Sequence, residues 1–151
     1  MATAVGTRIP AFDLELSGGT RLTDIDVIGT RTVLYFYPKD DTSGCTVQAH
    51  DFTDALSRFA KAGVQVIGVS PDPVASHDRF AAKCSIGFPL LADVDRQLCE
   101  AFGVWVEKSM YGKKYMGVER STFLVDADGR VEREWRKVKP AGHAAEVLEA
   151  L

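Results

Sequence analysis

Cys45 closes the stretch Tyr37-Pro38-Lys39-Asp40-Asp41-Thr42-Ser43-Gly44-Cys45, and its setting suits a nucleophile better than a core residue. The strand-like run from Thr32 to Tyr37 stops at Pro38, and a polar turn of Asp40, Asp41, Thr42, Ser43 and Gly44 delivers the sulfur to the start of a helical stretch. A thiol at a helix N-terminus faces unpaired N–H groups and the positive end of the helix dipole, both of which favour the anion. Such surroundings can pull a cysteine pKa from about 8.5 down to roughly 3.5–7.5, and the thiolate is the nucleophilic form. The other common fate of a free cysteine is as a small buried hydrophobe. That use places it within an apolar run, whereas Cys45 is flanked by Gly44 and Thr46.

Two neighbours have a chemical use and an ordinary one. Thr42 lies three residues before Cys45, so in a first helical turn its hydroxyl can share the face of the sulfur; it can equally be the helix N-cap. Pro38 has a fixed φ and no N–H, which suits shielding the sulfur and also suits plain punctuation at a strand end.

The elements that must position these groups alternate between strand and helix. Phe12-Asp13-Leu14-Glu15-Leu16 alternates with period two, and Ser17-Gly18-Gly19 turns it toward Thr20-Arg21-Leu22, which predicts an N-terminal hairpin. Residues 31–37 read as a buried strand, 44–61 as a helix with Phe52, Leu56 and Phe59 on one face, and Val64–Val69 as a second buried strand. A helix over Val74–Lys83, a short strand at Pro89–Leu91 and a helix near Arg96–Phe102 follow. The turn Asp126-Ala127-Asp128-Gly129 joins strands at Ser121–Val125 and Val131–Trp135, and residues 140–151 close the chain as a helix. Strand, crossover helix and strand between residues 31 and 69 imply a parallel pair, and the late hairpin adds antiparallel strands. The expectation is an α/β fold with a mixed, helix-covered sheet, one domain over residues 1–151.

Composition narrows the function classes. The 151 residues carry a formal charge of −3, so there is no general attraction to nucleic acid or anionic lipid. The cluster Arg133, Arg136, Lys137, Lys139 is interrupted by Glu134 and Trp135 and reads as a solvated face. No basic start with a long apolar stretch opens the sequence, and no run approaches the roughly 18 apolar residues that span a bilayer. A cytoplasmic protein is expected. Three cysteines, an odd number without an export signal, argue for reduced or catalytic thiols over a disulfide framework. No metal site is expected, since there is no C-x-x-C pair and His50, His77 and His143 lack ligand spacing. No cofactor is expected either, because phosphate loops, Rossmann glycines and a G-x-S-x-G elbow are missing.

The spacing Pro38-x-x-x-Thr42-x-x-Cys45 resembles the active-site signature of the peroxiredoxins, thiol peroxidases on a thioredoxin-like fold. Val33-Leu34-Tyr35-Phe36-Tyr37-Pro38-Lys39-Asp40, Gly68-Val69-Ser70-Pro71-Asp72, Phe88-Pro89-Leu90-Leu91-Ala92-Asp93 and Glu119-Arg120-Ser121-Thr122-Phe123-Leu124-Val125-Asp126 resemble, in order, segments of the peroxiredoxin Q or bacterioferritin comigratory protein branch. The resemblance implies Cys45 as peroxidatic thiolate, with Thr42 and Pro38 around it. It also implies Arg120 as the guanidinium that a distant segment brings beside the sulfur. Many relatives carry a second cysteine five residues after the nucleophile, where His50 stands here. A subset places its resolving cysteine on a later helix, which points to Cys84. Cys84 ends a helical stretch before Ser85-Ile86-Gly87 in an exposed-looking setting, whereas Cys99 falls on the apolar face of its helix as a buried spectator.

Three functions follow for comparison. The first is a thiol peroxidase acting on hydrogen peroxide or organic hydroperoxides, forming a Cys45–Cys84 disulfide recycled by thioredoxin or a glutaredoxin-type donor, and monomeric as the branch often is. A thiol–disulfide oxidoreductase of the same fold would show C-x-x-C, which Cys45 lacks. A redox-sensing or holdase-like module would undergo one stoichiometric oxidation without turnover.

Overall fold

The computed structural model describes residues 4–151; residues 1–3, part of the stretch read for an export signal, lie outside the described residues. The central sheet has five strands: β3 (Arg31–Phe36), β4 (Val64–Ser70), β5 (Leu90–Ala92), β8 (Ser121–Val125) and β9 (Val131–Trp135), in spatial order β5-β4-β3-β8-β9. β3 pairs parallel with β4 and antiparallel with β8, so the sheet is mixed as expected. An N-terminal hairpin forms from β1 (Asp13–Glu15) and β2 (Arg21–Thr23) as a separate two-stranded sheet.

β3 is buried on both faces, which is why it reads as a nearly continuous apolar run. Alternation divides its side chains: Val33 and Tyr35, with Tyr37 just past the strand, enter one core, and Leu34 and Phe36 the other. The first core is closed by α2 (Ser43–Lys61), α3 (Val74–Cys84) and α5 (His143–Glu149). Helix α2 contributes Cys45, Ala49, Phe52, Ala55 and Phe59 from one face at helical spacing. The second core is closed by α1 (Asp24–Val27) and α4 (Gln97–Ala101), through Val27, Leu98 and Cys99, with Phe102 just beyond α4.

Two elements lie outside the periodic apolar pattern of the sequence. Helix α1 is a single turn held by a capping box, in which the Thr23 hydroxyl accepts from the Asp26 amide and the Asp26 carboxylate accepts from the Thr23 amide. A second hairpin, β6 (Trp105–Met110) with β7 (Lys113–Val118), stands outside the main sheet. Its turn residues Tyr111 and Gly112 both have positive φ, the two-residue geometry that matches strand twist. Most of its residues are half-buried or exposed, so no period-two apolar pattern announces it. The closing helix is shorter than residues 140–151, because Gly142 in the left-handed region starts it at His143.

Candidate active site

Helix α2 begins immediately after Thr42, which is its N-cap at φ −95° and ψ 157°. The Thr42 side chain makes no capping bond; its hydroxyl donates instead to the Lys39 carbonyl at 2.9 Å. A hydroxyl has one proton, so the remaining capacity of Thr42 Oγ1 is to accept. The first turn of α2 contains no acidic residue, so no carboxylate there competes with the sulfur for the positive helix end. Cys45 sits in that turn with only 1% of its surface exposed.

Arg120 arrives from the far side of the sequence. The β3–β8 register sets Phe36 opposite Ser121, which places the residue before Ser121 beside the end of β3 where the Cys45 loop departs. Arg120 Nη2 lies 3.3 Å from Cys45 Sγ, and Nη1 donates to Gln48 Oε1 at 2.6 Å. Gln48, one helical turn beyond Cys45 and fully buried, thereby fixes the guanidinium that faces the sulfur. Gly44 makes the approach possible. A Cβ there would stand 3.2 Å from Arg120 Nη2 and 3.1 Å from Pro140 Cγ, so one of them would have to give way. Pro38 is half-buried where β3 ends; the last ladder bond runs from the Tyr37 amide to the Val69 carbonyl, and Pro38 has no N–H to extend it.

Three further groups surround this pair, and nothing in the sequence singled them out. Lys108 on β6 has its ammonium pushed below the ordinary lysine range, first by partial burial and then by the Arg120 charge. Tyr35 has its phenol pushed well up, chiefly by burial and next by the charge of Cys45, so it stays protonated. The Tyr35 hydroxyl and Gln48 Nε2 are buried donors without a hydrogen-bond partner among the described residues. Unsatisfied buried donors are rare, and here they cluster around the one sulfur that faces an arginine.

The three cysteines are free and buried. Cys84, expected at an exposed helix end, is instead buried, because it falls on the inner face of α3 with His77 and Phe80. It shares the first core with Cys45. Cys99 lies in the second core, on the other side of the sheet, where burial first and the neighbouring Asp93 carboxylate next push its thiol far above the usual range. His50, at the position where many relatives carry a cysteine, is exposed. His77 and His143 are not surface residues: both are buried, and both ring nitrogens of each meet polar partners.

Among the described residues no helix is long and apolar enough to cross a membrane. The AhpC/TSA family profile matches residues 5–134. The chain is 54% identical over 142 residues to peroxiredoxin Bcp of Xanthomonas campestris, covering 93% of this chain and 89% of the relative. It is 48% identical to peroxiredoxin Bcp of Bacillus subtilis over 151 residues, 100% of this chain and 96% of the other. A solved structure of Xanthomonas campestris bacterioferritin comigratory protein, described for its alkyl peroxide reduction activity, superimposes with a TM-score of 0.91 at 50% identity, over 97% of this chain and 96% of that one. With a buried thiol facing a guanidinium at the head of a helix, on the fold these relatives share, the chain belongs to the AhpC/TSA family, in its peroxiredoxin Q or Bcp branch, and is a cysteine-based thiol peroxidase.

Proposed function

We propose that Cys45 is the peroxidatic residue, that Cys84 resolves its sulfenic acid, and that a thioredoxin or glutaredoxin-type dithiol restores both thiols. The observation that supports this most directly is the 3.3 Å contact between Arg120 Nη2 and Cys45 Sγ at the start of α2. The Cys45 thiolate attacks one peroxide oxygen and the O–O bond breaks. The sulfur becomes S–OH, and the leaving oxygen departs as hydroxide or alkoxide and takes a proton to give water or alcohol. Arg120 offers a fixed cationic fork to the oxygens as charge moves between them. Thr42 Oγ1, its own proton committed to Lys39, accepts from the peroxide O–H. Pro38 shields the sulfur at the end of β3. Hydrogen peroxide and organic hydroperoxides are the substrates, in keeping with the alkyl peroxide reduction for which the Xanthomonas relative is described.

In the second half-reaction the Cys84 sulfur attacks Cys45, the S–O bond breaks, and water leaves as the disulfide forms. Cys84 is the partner in this reading because it occupies the same core as Cys45, whereas the central sheet lies between Cys45 and Cys99. A disulfide requires Cα atoms within about 7 Å, a separation that the first turn of α2 and the last turn of α3 reach by local unfolding around residues 42–47 and 81–85. The enzyme works as a monomer of one domain in the cytoplasm. Non-reducing peptide mapping after one equivalent of peroxide tests the wiring. The expected product is a Cys45–Cys84 bridge, and a bridge to Cys99 overturns it.

A further inference from the structure

A buried carboxylate stands five residues before Cys45, and no step of peroxide reduction uses it. Asp40, with 7% of its surface exposed, accepts from Tyr37 OH at 2.6 Å and from Ser76 Oγ at 2.8 Å, and meets His77 Nδ1 at 2.8 Å. Its backbone amide donates to Asp72 Oδ2 at 2.9 Å, an oxygen that also accepts from Ser70 Oγ at 2.6 Å. Burial first, and the neighbouring Asp40 carboxylate with it, pushes the Tyr37 phenol well up, so Tyr37 remains a donor.

The hydrogen inventory of His77 follows from its partners. Nε2 lies 3.1 Å from the Leu91 carbonyl, which can only accept, so Nε2 carries a hydrogen. Nδ1 faces a carboxylate oxygen, and that contact is a hydrogen bond only if one proton lies between the two atoms, whichever of them holds it. The pair is therefore net neutral, and every polar atom in it is satisfied. It is also fully shielded, since the His77 side chain is 0% and the Asp40 side chain 3% exposed. An uncompensated charge at such depth is strongly unfavourable, so the link is a firm one. An ion pair between the same two segments, Lys83 to Asp41 at 2.9 Å, is more than half exposed and correspondingly weak.

The placement of the pair gives it a role. Asp40 belongs to the loop that feeds the first turn of α2, and Ser76 and His77 belong to the first turn of α3, the helix that ends at Cys84. The buried link fastens the segment that carries one sulfur to the helix that carries the other. We propose that Asp40 and His77 are positioning residues that clamp the Cys45 loop to α3, and that the strength of this clamp sets how long the Cys45 sulfenic acid persists before Cys84 captures it. The proposal rests on the reading of Cys84 as the resolving residue. Two reactions compete for the sulfenic acid. Attack by Cys84 forms S–S and releases water; a second peroxide oxidises S–OH to the sulfinic acid and leaves as alcohol or water. A tighter clamp lengthens the wait and favours the sulfinic acid; a looser clamp favours the disulfide.

The test is the ratio of sulfinic acid to disulfide after a fixed peroxide pulse, read by mass spectrometry, in three variants. His77→Phe keeps a ring and removes both ring nitrogens, and the ratio falls about tenfold, as expected when a hydrogen bond within a buried ionisable pair is lost. Ser76→Ala removes one neutral donor and lowers the ratio about threefold; it decides the matter if His77→Phe does not fold. His77→Asn returns an N–H to the Nδ1 position and restores the wild-type ratio, which a merely structural role for the ring would not produce. With Cys84→Ser as background, His77→Phe leaves the reaction of Cys45 with the first equivalent of peroxide essentially unchanged, because the hydrogen bonds it removes run to Asp40 and Leu91 and not to the sulfur or Arg120. Amide exchange in the reduced protein accelerates in residues 38–47 and 74–84 of His77→Phe while β8 and β9 stay protected. An unchanged ratio in folded variants, or unchanged exchange in both segments, overturns the clamp. Absence of a Cys45–Cys84 bridge in the unmodified protein overturns the resolving assignment instead, and the exchange measurement separates the two failures.

Discussion

The two faces of the central sheet hold the same residue type under opposite conditions. On the first face the apolar packing around Cys45 and Cys84 is interrupted by Gln48, Asp40, His77 and the Tyr35 hydroxyl, two of them contributing donors with no partner. On the second face Phe36, Phe102 and Phe123 form a ring cluster with centroids 4.7–5.6 Å apart. The one buried carboxylate near Cys99, Asp93, is satisfied by the Leu98 and Cys99 amides at 3.1 and 2.8 Å. Depth therefore does not distinguish the two cysteines. The difference is a cation on one face and an anion on the other: Arg120 stands at Cys45, whereas Asp93 reinforces the upward push that burial gives the Cys99 thiol.

The contrast can be broken from either side. Cys45→Ser should abolish peroxidase turnover and leave the fold intact, because a hydroxyl is not ionised near neutral pH; coupled consumption of peroxide with a thioredoxin system reads it, and more than trace activity would contradict the assignment. On the inert face Phe102→Ala should destabilise by about 3–5 kcal/mol in urea unfolding while peroxidase activity of the folded fraction persists. Arg120→Ala should lower kcat/KM for peroxide by about 10²–10³, the range seen when one preorganised donor to a developing charge is removed. A fall of less than about twofold would place the guanidinium outside the reaction.

The helix-α5 side adds a smaller, pH-dependent difference. His143, held neutral by burial against Trp135 and Phe52, has its pKa below the ordinary histidine value. The unfolded chain then binds more protons than the native one as pH falls below about 6.5, so the contribution of His143 to stability is present above that pH and is lost below it. Thermal unfolding at pH 7 and pH 5 should show the loss, and His143→Gln should reduce it. Cys99→Ser is expected to change least, with turnover at the native rate.

Much of the fold was legible because its strands and helices carry one clean period each. β3 and β4 are continuous apolar runs, and α2 and α3 place buried residues at helical spacing. The β6–β7 hairpin was not legible because it packs few residues on either side, and burial is what imprints a pattern. Within the site, Cys45 and Thr42 announced themselves by local spacing, and Arg120 only through resemblance. Gln48, Lys108 and the Asp40–His77 pair stayed hidden, since each acquires its meaning from a partner on another element. The capping box of α1 was the exception, a local signal at Thr23 and Asp26 that spacing alone could have found.

Arg120 and Cys45 are 75 residues apart in sequence and meet only through the β3–β8 register. While the chain is being made, the cysteine emerges long before its guanidinium, and a segment that has collapsed around β3, α2 and β4 still lacks the strand that delivers it. Pairings of such long range form late because loop closure must come first. Assembly of the reactive centre is thus a report on completion of the fold. On the reading proposed above, a nascent or partly unfolded chain carries the thiol without the group that directs it at peroxide, and the protein gains its peroxide-reducing chemistry in the same step that gives it a finished sheet.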